Sequence, residues 1–287
     1  MTIERVGFVG LGNMGRVLAQ NLVDSGFEVL SHDLVGSEHS PPSAAFVSTV
    51  EELARGAEVI VCSLPDGAAS EQVAAAIARA KGRRTASVID TSTIGVAAAR
   101  SVEGLLSAAG IGYVDAPVSG GVAGARARTL TVMYAGPAAV CAAVEPVLAG
   151  LSDRRRRVGD RAGQGQALKL ANNFLSAVAL AATSEAVSFS VSMGLDMEVV
   201  LEVLNTSSGQ SQATADKFPN HVATGRYAAG FTNVLMAKDL HLYLDASGTR
   251  RDAWTTVSAV TASIWERFAE AEPGADFTRI YPFLAGT

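Results

Sequence analysis

One lysine stands in a segment of the chain that is otherwise uncharged. Lys169 is the only charged residue between Ala162 and Ser184, and the whole chain holds four lysines against nineteen arginines. Keeping a lysine charged among apolar neighbours costs free energy, and burial lowers the pKa of a lysine towards neutrality. An amine with a lowered pKa can take up and release a proton near neutral pH. Lys169 is therefore a candidate general acid/base, while a lysine that reaches out to solvent explains this segment equally well.

Asn173 is the polar residue that shares a helix face with Lys169. The segment GQGQALKLANN predicts a helix, on which residues four apart lie one turn from each other. The side-chain amide of Asn173 could hold a substrate there, or it could keep the lysine in register.

A second group of residues has the spacing of a phosphate-binding loop. Gly10, Gly12 and Gly15 fit the pattern G-x-G-x-x-G, and they follow a β-branched run and open a helical one. The pattern alone is weak in a chain of 28 glycines, but at this junction it is typical of dinucleotide binding. The first glycine permits the turn, the second lets a pyrophosphate approach, and the third lets the helix pack on the strand. The predicted cofactor loop consists of Gly10, Leu11, Gly12, Asn13, Met14 and Gly15.

Asp33 ends the second predicted strand, 18 residues after Gly15. A carboxylate there can accept hydrogen bonds from both hydroxyls of an adenosine ribose, and it would repel a 2′-phosphate. No Arg or Lys follows it in DLVGSEHS. The predicted cofactor is therefore NAD rather than NADP, and the alternative is an aspartate that serves only the turn at the end of the strand.

Strands and helices that could position these residues alternate up to about residue 160. Runs such as RVGFVG, EVIVCSLP and TASVIDTST alternate with helical segments, which predicts right-handed βαβ crossovers and a mostly parallel sheet. From Gln164 onward only helical patterns follow, and the first of them predicts one long helix. The predicted fold class is α/β: a Rossmann-type doubly wound sheet over residues 1–162, followed by an all-α substrate and oligomerisation domain over residues 163–287 that is entered through a long interdomain helix.

Composition and charge narrow the class of protein. The chain has 287 residues and a net charge of −5, which gives no reason to expect nucleic-acid binding, and the basic run at residues 154–157 is interpreted as a solvated loop. Cys62 and Cys141 lie far apart without a histidine at metal-ligand spacing. We therefore predict no metal site and expect two buried thiols in a reducing compartment.

The N-terminal segment and the hydropathy pattern indicate the cellular compartment in which we expect the protein. The first strand begins at Arg5, which leaves no room for a signal peptide, and no apolar run of membrane-spanning length is free of polar residues. We expect a cytoplasmic protein that binds neither nucleic acid nor a membrane.

Four motifs, in order and nearly from end to end, resemble those of the β-hydroxyacid dehydrogenase family. GFVGLGNMG is similar to the family's opening cofactor signature, and DAPVSGGVAGARARTLTVMYAG to its substrate-binding signature. GQGQALKLANN resembles the catalytic helix, and LMAKDLHL resembles the late motif that contacts the cofactor. The resemblance implies an enzyme that uses NAD to oxidise a small β-hydroxy acid, such as 3-hydroxyisobutyrate, to its semialdehyde, or that catalyses the reverse reaction.

The resemblance also implies a role for each matching residue. Lys169 would be the general acid/base, and the substrate would be held by Ser119, Gly120, Gly121 and Asn173. The residues implied to contact the cofactor, besides the glycine loop and Asp33, are Leu64, Pro65, Thr93 and Lys238. Several of these residues follow predicted strands, where open α/β sheets bind ligands. Without the resemblance, SGG would be a plain turn and KDL an exposed helix face.

Two other functions share this architecture. Related imine reductases usually carry Asp or Tyr where Lys169 stands, so the lysine argues against that activity. A non-catalytic NAD-binding scaffold would have no use for Lys169, Asn173 and SGG together. The segment FLSAVALAA has more apolar surface than one neighbour covers, which predicts a homodimer or homotetramer.

Arg128 departs from the family's pattern A-x-x-G-T-L, because it stands where the glycine is usual. A backbone that needs the freedom of glycine would be strained by an arginine. Alternatively the loop is a surface variant, or a cation near the substrate cradle alters which acid is accepted. The departure leaves the identity of the substrate open.

Overall fold

The strands of the chain form one mostly parallel sheet. The computed structural model describes residues 3–248 and 256–286, and within them nine strands join this sheet. They are β1 Arg5–Val9, β2 Glu28–His32, β3 Ala45–Phe46, β4 Val59–Cys62, β5 Ser87–Asp90, β6 Gly112–Asp115, β7 Val118–Ser119, β8 Thr131–Ala135 and β9 Arg154–Gly159. Their order is β3-β2-β1-β4-β5-β6-β8-β7, with β9 paired to β8. The pairs among β1 to β6 are parallel, and β8 is antiparallel to β6 and β7.

Helices cover both faces of this sheet. They are α1 Gly15–Asp24, α2 Val50–Gly56, α3 Gly67–Arg79, α4 Val96–Ala108, α5 Gly121–Arg126 and α6 Ala138–Leu151. Along β1, Phe8 belongs to a core cluster with α1 and α6, and Val9 belongs to a second cluster with α2, α3 and α4. Successive residues of a strand point to opposite faces, so the two clusters lie on opposite sides of the sheet. The predicted doubly wound sheet is confirmed.

The basic run at residues 154–157 is a strand, and its interpretation as a solvated loop was wrong. It forms most of β9, which pairs in parallel with β8. The side chains of Arg154 and Arg156 are exposed, and Nε of Arg155 donates to Oε1 of Glu145 on α6 at 2.6 Å. An edge strand has solvent beside it, so charged side chains are compatible with it and protect the edge.

The chain divides into two compact units, Met1–Lys169 and Leu170–Thr287, called here the N-terminal and C-terminal units. Helix α7, Gln164–Ser192, begins in the first and continues into the second, and its 29 residues confirm the prediction of one long helix. The C-terminal unit continues with α8 Met197–Asn205, a π-helical segment Ala213–Val222, α9 Asn233–Ser247, α10 Val257–Ala271, a 3₁₀ turn Phe277–Arg279 and α11 Ile280–Ala285. The predicted change from α/β to helical structure is confirmed.

Aromatic side chains fill the core of the C-terminal unit. Trp265 and Phe268 of α10 are fully buried and pack with Phe277 and the buried residues of α7 and α9. The indole N–H of Trp265 donates to the carbonyl oxygen of Ala177 on α7 at 3.3 Å. This bond satisfies the polar atom of a buried tryptophan, and it attaches α7 to α10.

By length and composition alone, α7 could also cross a membrane, and a third of its most apolar 18-residue window is buried in the protein. Core helices of water-soluble proteins meet the same criterion, so this is weak evidence for a membrane span. Much of the remaining apolar surface of α7 is exposed.

Candidate active site

The glycines of the loop between β1 and α1 are subject to different packing constraints. Gly10 has φ +92°, and a Cβ on it would lie 2.2 Å from the carbonyl oxygen of Ser63. A Cβ on Gly15 would lie 1.9 Å from the carbonyl oxygen of Gly10. A Cβ on Gly12 would meet no atom within 4 Å. Gly10 and Gly15 are therefore required by packing, whereas the surface at Gly12 is open to a ligand.

A ligand at this end of α1 would approach the loop residues before the helix, because the N–H groups of Arg16, Val17 and Leu18 already donate to main-chain carbonyl oxygens. Met14 precedes the helix and provides no side-chain cap, and the side chain of the neighbouring Asn13 accepts a hydrogen bond from Arg16 instead. Leu11 is buried in the core beside the loop. A pyrophosphate fits such a helix N-terminus, because the helix dipole favours an anion there.

The carboxylate of Asp33 is fixed beside this loop. Its Oδ2 accepts from the N–H of Leu11 at 2.5 Å, and its Oδ1 accepts from the N–H of Val35 at 2.8 Å. Next to it lies a cavity of about 120 Å³ that is lined by Leu11, Gly12, Asp33, Val35, Gly36, Glu38 and His39. The lining includes two carboxylates and neither Lys nor Arg, and each carboxylate oxygen can accept a further hydrogen bond. These carboxylate oxygens could accept hydrogen bonds from the hydroxyls of a ribose.

The loops after β4 and β5 are joined by a hydrogen bond. The N–H of Leu64 donates to Oγ of Ser92 at 2.7 Å, and Pro65 and Thr93 follow these two residues. Leu64, Pro65 and Thr93 thus stand at the carboxyl ends of neighbouring parallel strands. This is the edge of an open α/β sheet where ligands bind.

Two buried side chains fix the start of α7, and sequence analysis missed both. Oδ2 of Asp115, at the end of β6, accepts from the N–H of Gln166 at 2.9 Å. Oε1 of Gln166 accepts from the N–H groups of Ile94 at 3.0 Å and Gly95 at 3.1 Å, and its Nε2 donates to the carbonyl oxygen of Ser92 at 3.0 Å. The polar side chain of Gln166 in an otherwise apolar helical segment was the signal that could have identified this residue from the sequence.

Lys169 lies on α7, three residues after Gln166. Its burial, expected from the apolar segment, is confirmed, since only 8% of the residue is exposed. A side chain that extends into solvent, the alternative interpretation of this lysine, does not describe the structure.

Asn173 is held by an aspartate that sequence analysis also missed. Within the C-terminal unit, Nδ2 of Asn173 donates to Oδ2 of Asp239 at 2.6 Å, and Nζ of Lys238 lies 3.2 Å from Oδ1 of the same aspartate. Asp239 is only 2% exposed. It occupies the buried face of α9 next to Met236 and Leu240, and a carboxylate among apolar residues was the available signal. Lys238, predicted to contact the cofactor, is thus paired with Asp239.

Ser119, Gly120 and Gly121 form the transition from β7 to α5. Gly120 and Gly121 have φ values of +131° and +66°, which glycine adopts without strain. Gly120 precedes α5 and has no side chain to cap it, and among the described residues no atom lies within 4 Å of a Cβ placed on Gly121. Successive N–H groups in such a turn can bind an anion, and the open space at Gly121 leaves them accessible.

Arg128 adopts a backbone conformation that favours glycine. Its φ is +57°, in the left-handed region. Its guanidinium donates to the carbonyl oxygens of Ala149 and Gly150, both at 2.9 Å, and to Oγ of Ser25 at 3.1 Å. These bonds cap the C-terminal end of α6 and contact the end of α1, and they offset the strain of a left-handed arginine. The residue has a structural role in this loop.

Known proteins match the chain along its whole length. Residues 5–159 match the NAD binding domain of 6-phosphogluconate dehydrogenase, and residues 163–284 match the family described as NAD-binding of NADP-dependent 3-hydroxyisobutyrate dehydrogenase. A 3-hydroxyisobutyrate dehydrogenase of Pseudomonas aeruginosa is 36% identical over 98% of each chain. The chain belongs to the β-hydroxyacid dehydrogenase family.

Other members of this family support the same class of activity. A 2-(hydroxymethyl)glutarate dehydrogenase of Eubacterium barkeri is 33% identical over 91% of this chain and 88% of its own. The solved structure of a Mycobacterium tuberculosis 3-hydroxyisobutyrate dehydrogenase with L-serine is 31% identical, covers 99% of each chain and has a TM-score of 0.89. The chain is accordingly an NAD(P)-binding hydroxyacid dehydrogenase that acts on CH–OH groups.

Proposed function

We propose that this β-hydroxyacid dehydrogenase prefers NAD and interconverts a small β-hydroxy acid, such as 3-hydroxyisobutyrate, with its semialdehyde, using Lys169 as the general acid/base. The observation that carries the proposal is the burial of Lys169 on the helix whose next turn presents Asn173.

Oxidation of an alcohol removes a hydride from carbon and a proton from oxygen. A nicotinamide dinucleotide, when bound at the Gly10–Gly15 loop, supplies the hydride acceptor. The neutral amine of Lys169 takes the hydroxyl proton, and the electron pair of the O–H bond becomes the second bond of the carbonyl. In the reverse direction the ammonium of Lys169 returns the proton to the forming alkoxide.

The acid end of the substrate is assigned to Ser119, Gly120 and Gly121. A carboxylate can accept from the hydroxyl of Ser119 and from the N–H groups of the two glycines. Asn173 is assigned to bind the substrate as well, and its amide is held in one orientation because it donates to Asp239 and accepts from Asn172. An oriented amide discriminates between substrates better than a mobile one.

The preference for NAD rests on the cavity beside Asp33. Both oxygens of Asp33 are fixed by main-chain N–H groups, and Glu38 adds a second carboxylate to the lining. A 2′-phosphate would meet two negative charges without a cation among the lining residues to neutralise it. The hydroxyls of an unphosphorylated ribose are hydrogen-bond donors that these carboxylates accept.

The assignment of Lys169 is tested with Lys169→Ala and Lys169→Arg. Loss of proton transfer typically costs about 10²–10⁴ in rate, so Lys169→Ala should lower kcat by that factor. Lys169→Arg should not restore it, because a guanidinium keeps its proton at any working pH. NAD affinity should change little in either variant. Near-normal turnover of Lys169→Arg would refute the catalytic role.

The substrate class is tested with a panel of short hydroxy acids and imines. The formation or consumption of NADH is monitored by its fluorescence. Activity confined to β-hydroxy acids is the expected result. Turnover of imines alone would favour the imine reductases of the same architecture, and binding of NAD without turnover of any substrate would favour a scaffold.

The exposed apolar surface of α7 and α8 supports a further proposal, that two copies of the chain associate through it. Phe189 is 66% exposed and Met193 is 65% exposed, and Leu195, Val199 and Val203 continue the same apolar series. Patches of this kind on a folded protein mark interaction sites. In sedimentation velocity, Phe189→Glu should shift the protein towards the monomer, whereas Leu34→Glu, an exposed control in the N-terminal unit, should not. If the protein without substitutions is a monomer at micromolar concentration, the proposal is refuted.

A further inference from the structure

The side chain of Gln166 surrounds the main chain on both sides of Thr93. Its Nε2 donates to the carbonyl oxygen of Ser92, the residue before Thr93. Its Oε1 accepts from the N–H groups of Ile94 and Gly95, the two residues after it. Gln166 itself is fully buried. Its amide group is thus held by three main-chain groups of one short loop.

These hydrogen bonds also fix the residues that lead into α4. Gly95 precedes α4 and has no side chain with which to cap it. Oε1 of Gln166 accepts from the N–H groups of Ile94 and Gly95, which lie just before the helix and not in its first turn. The loop after β5 therefore takes its conformation from a residue that lies on a different helix, more than 70 positions away in sequence.

The other end of this connection is rigid. Gln166 and Lys169 are three residues apart on α7, so they lie on the same side of the helix and a fixed distance apart. The N–H of Gln166 itself donates to the buried Asp115, which ties the first turn of α7 to the end of β6. Displacement of the Thr93 loop relative to Lys169 would break the three bonds of the Gln166 side chain.

We propose that Gln166 is a positioning residue, which sets the position of the Thr93 loop relative to Lys169 and thereby the geometry of the chemical step. The inference rests on the proposed function of Lys169 as the acid/base and of Thr93 in contacting the nicotinamide end of the cofactor. Hydride and proton leave adjacent atoms of one substrate, so their two acceptors must be held at a set separation. A misplacement of about 1 Å costs on the order of 10²-fold in rate.

The test compares Gln166→Met with a matched control, Gln164→Met. Methionine keeps the length of the side chain and removes its hydrogen bonds. Oε1 of Gln164, in the same first turn of α7, accepts from the N–H groups of Asp160 at 2.8 Å and Arg161 at 3.0 Å, but it does not contact the Thr93 loop. The control therefore disturbs the start of α7 without releasing that loop.

The first measurement does not depend on activity. Amide hydrogen exchange of the segment 92–96 should become at least about tenfold faster in Gln166→Met and stay within about twofold in Gln164→Met, because exchange follows local opening. Equal exchange in Gln166→Met and the unchanged protein would overturn the inference, whatever the activity of the enzyme.

The second measurement separates chemistry from binding. In Gln166→Met, kcat should fall about 10- to 100-fold, while KM for the acid and the Kd for NAD stay within about threefold. The isotope effect on kcat with substrate deuterated at the reacting carbon should rise, because hydride transfer becomes slower than product release. A purely structural role would lower the amount of folded protein in both variants and leave kcat per folded molecule and the isotope effect unchanged.

The outcomes distinguish this inference from the proposed function. If Lys169→Ala retains its activity, the acid/base assignment fails, whereas faster exchange in Gln166→Met would still show that Gln166 holds the loop. If Lys169→Ala is inactive and Gln166→Met keeps its kcat, the positioning role alone fails. Should Gln166→Met not fold, Gln166→Glu carries the same test. It keeps the acceptor for Ile94 and Gly95 and loses the donor to Ser92, so kcat rather than amide exchange is the readout for this variant, and an unchanged kcat would overturn the inference.

Discussion

The carboxyl group of Asp115 should make the stability of the protein depend on pH. Burial raises its pKa from 3.8 to about 7, although the N–H groups of Gln166 and Gly163 oppose the rise by favouring the charged form. Among the described residues Oδ1 of Asp115 has no hydrogen-bond partner. The neutral carboxyl therefore stabilises the folded state fully below pH 3.8, and this contribution is lost as the pH rises to about 7.

The size of this contribution follows from the two pKa values. A rise from 3.8 to about 7 corresponds to roughly 4 kcal/mol at ~1.36 kcal/mol per pH unit. Part of that amount is lost already at pH 5, so the unchanged protein should lose about 2–3 kcal/mol of unfolding free energy between about pH 5 and about pH 8 on account of Asp115.

Asp115→Asn isolates this effect, because an amide still accepts from the N–H of Gln166 but does not titrate. Urea unfolding followed by circular dichroism at the two pH values should give a stability advantage of the variant that is about 2–3 kcal/mol larger at the higher pH. The Gln164→Met variant changes no titrating group, and its pH dependence should follow that of the unchanged protein. A constant difference between Asp115→Asn and the unchanged protein at both pH values would refute the reasoning.

Three further substitutions test the cofactor site, the substrate site and Arg128. The unchanged enzyme should favour NAD over NADP by at least about tenfold in kcat/KM, or ~1.4 kcal/mol. Asp33→Ser should reduce this ratio of kcat/KM values. Equal efficiency with both cofactors in the unchanged enzyme would contradict the assignment of Asp33 to the adenosine ribose. Gly121→Val should raise KM for the acid strongly and leave NAD affinity by calorimetry nearly unchanged, whereas a parallel loss of NAD affinity would assign the loop to the cofactor or to the fold. Arg128→Gly should lower the free energy of unfolding by about 1–2 kcal/mol, because the hydrogen bonds of the guanidinium to the helix ends are lost. Arg128→Ala should lower it by about 1 kcal/mol more, because alanine keeps the strain of the left-handed backbone. Equal losses in the two variants would show that no strain is present.

Features that depend on neighbouring residues could be predicted from the sequence. The spacing of Gly10, Gly12 and Gly15 lies within one turn and the start of one helix, and the length of α7 follows from an apolar segment without proline. The burial of Lys169 follows from the same segment. In each case the residues that decide the structure are adjacent in the chain.

Features that depend on distant residues could not be predicted in this way. The bond between Asn173 and Asp239 joins residues 66 positions apart, and that between Gln166 and Ser92 joins residues 74 positions apart. The run at residues 154–157 became a strand because β8 offers a free edge, which its own composition does not reveal. The replacement of glycine by Arg128 was visible in the sequence, but the helix ends that receive its guanidinium are brought together only by the fold.

The open space at Gly12 allows folding to be separated from cofactor binding. Alanine at Gly10 or Gly15 would collide with a main-chain oxygen, and either change would disrupt the junction of β1 and α1. Alanine at Gly12 meets no neighbour, so the protein should fold normally with one methyl group in the place where a pyrophosphate must approach. Gly12→Ala should therefore provide an intact reference form of the enzyme with weakened dinucleotide binding, against which any effect of the cofactor on stability, association or loop exchange can be measured.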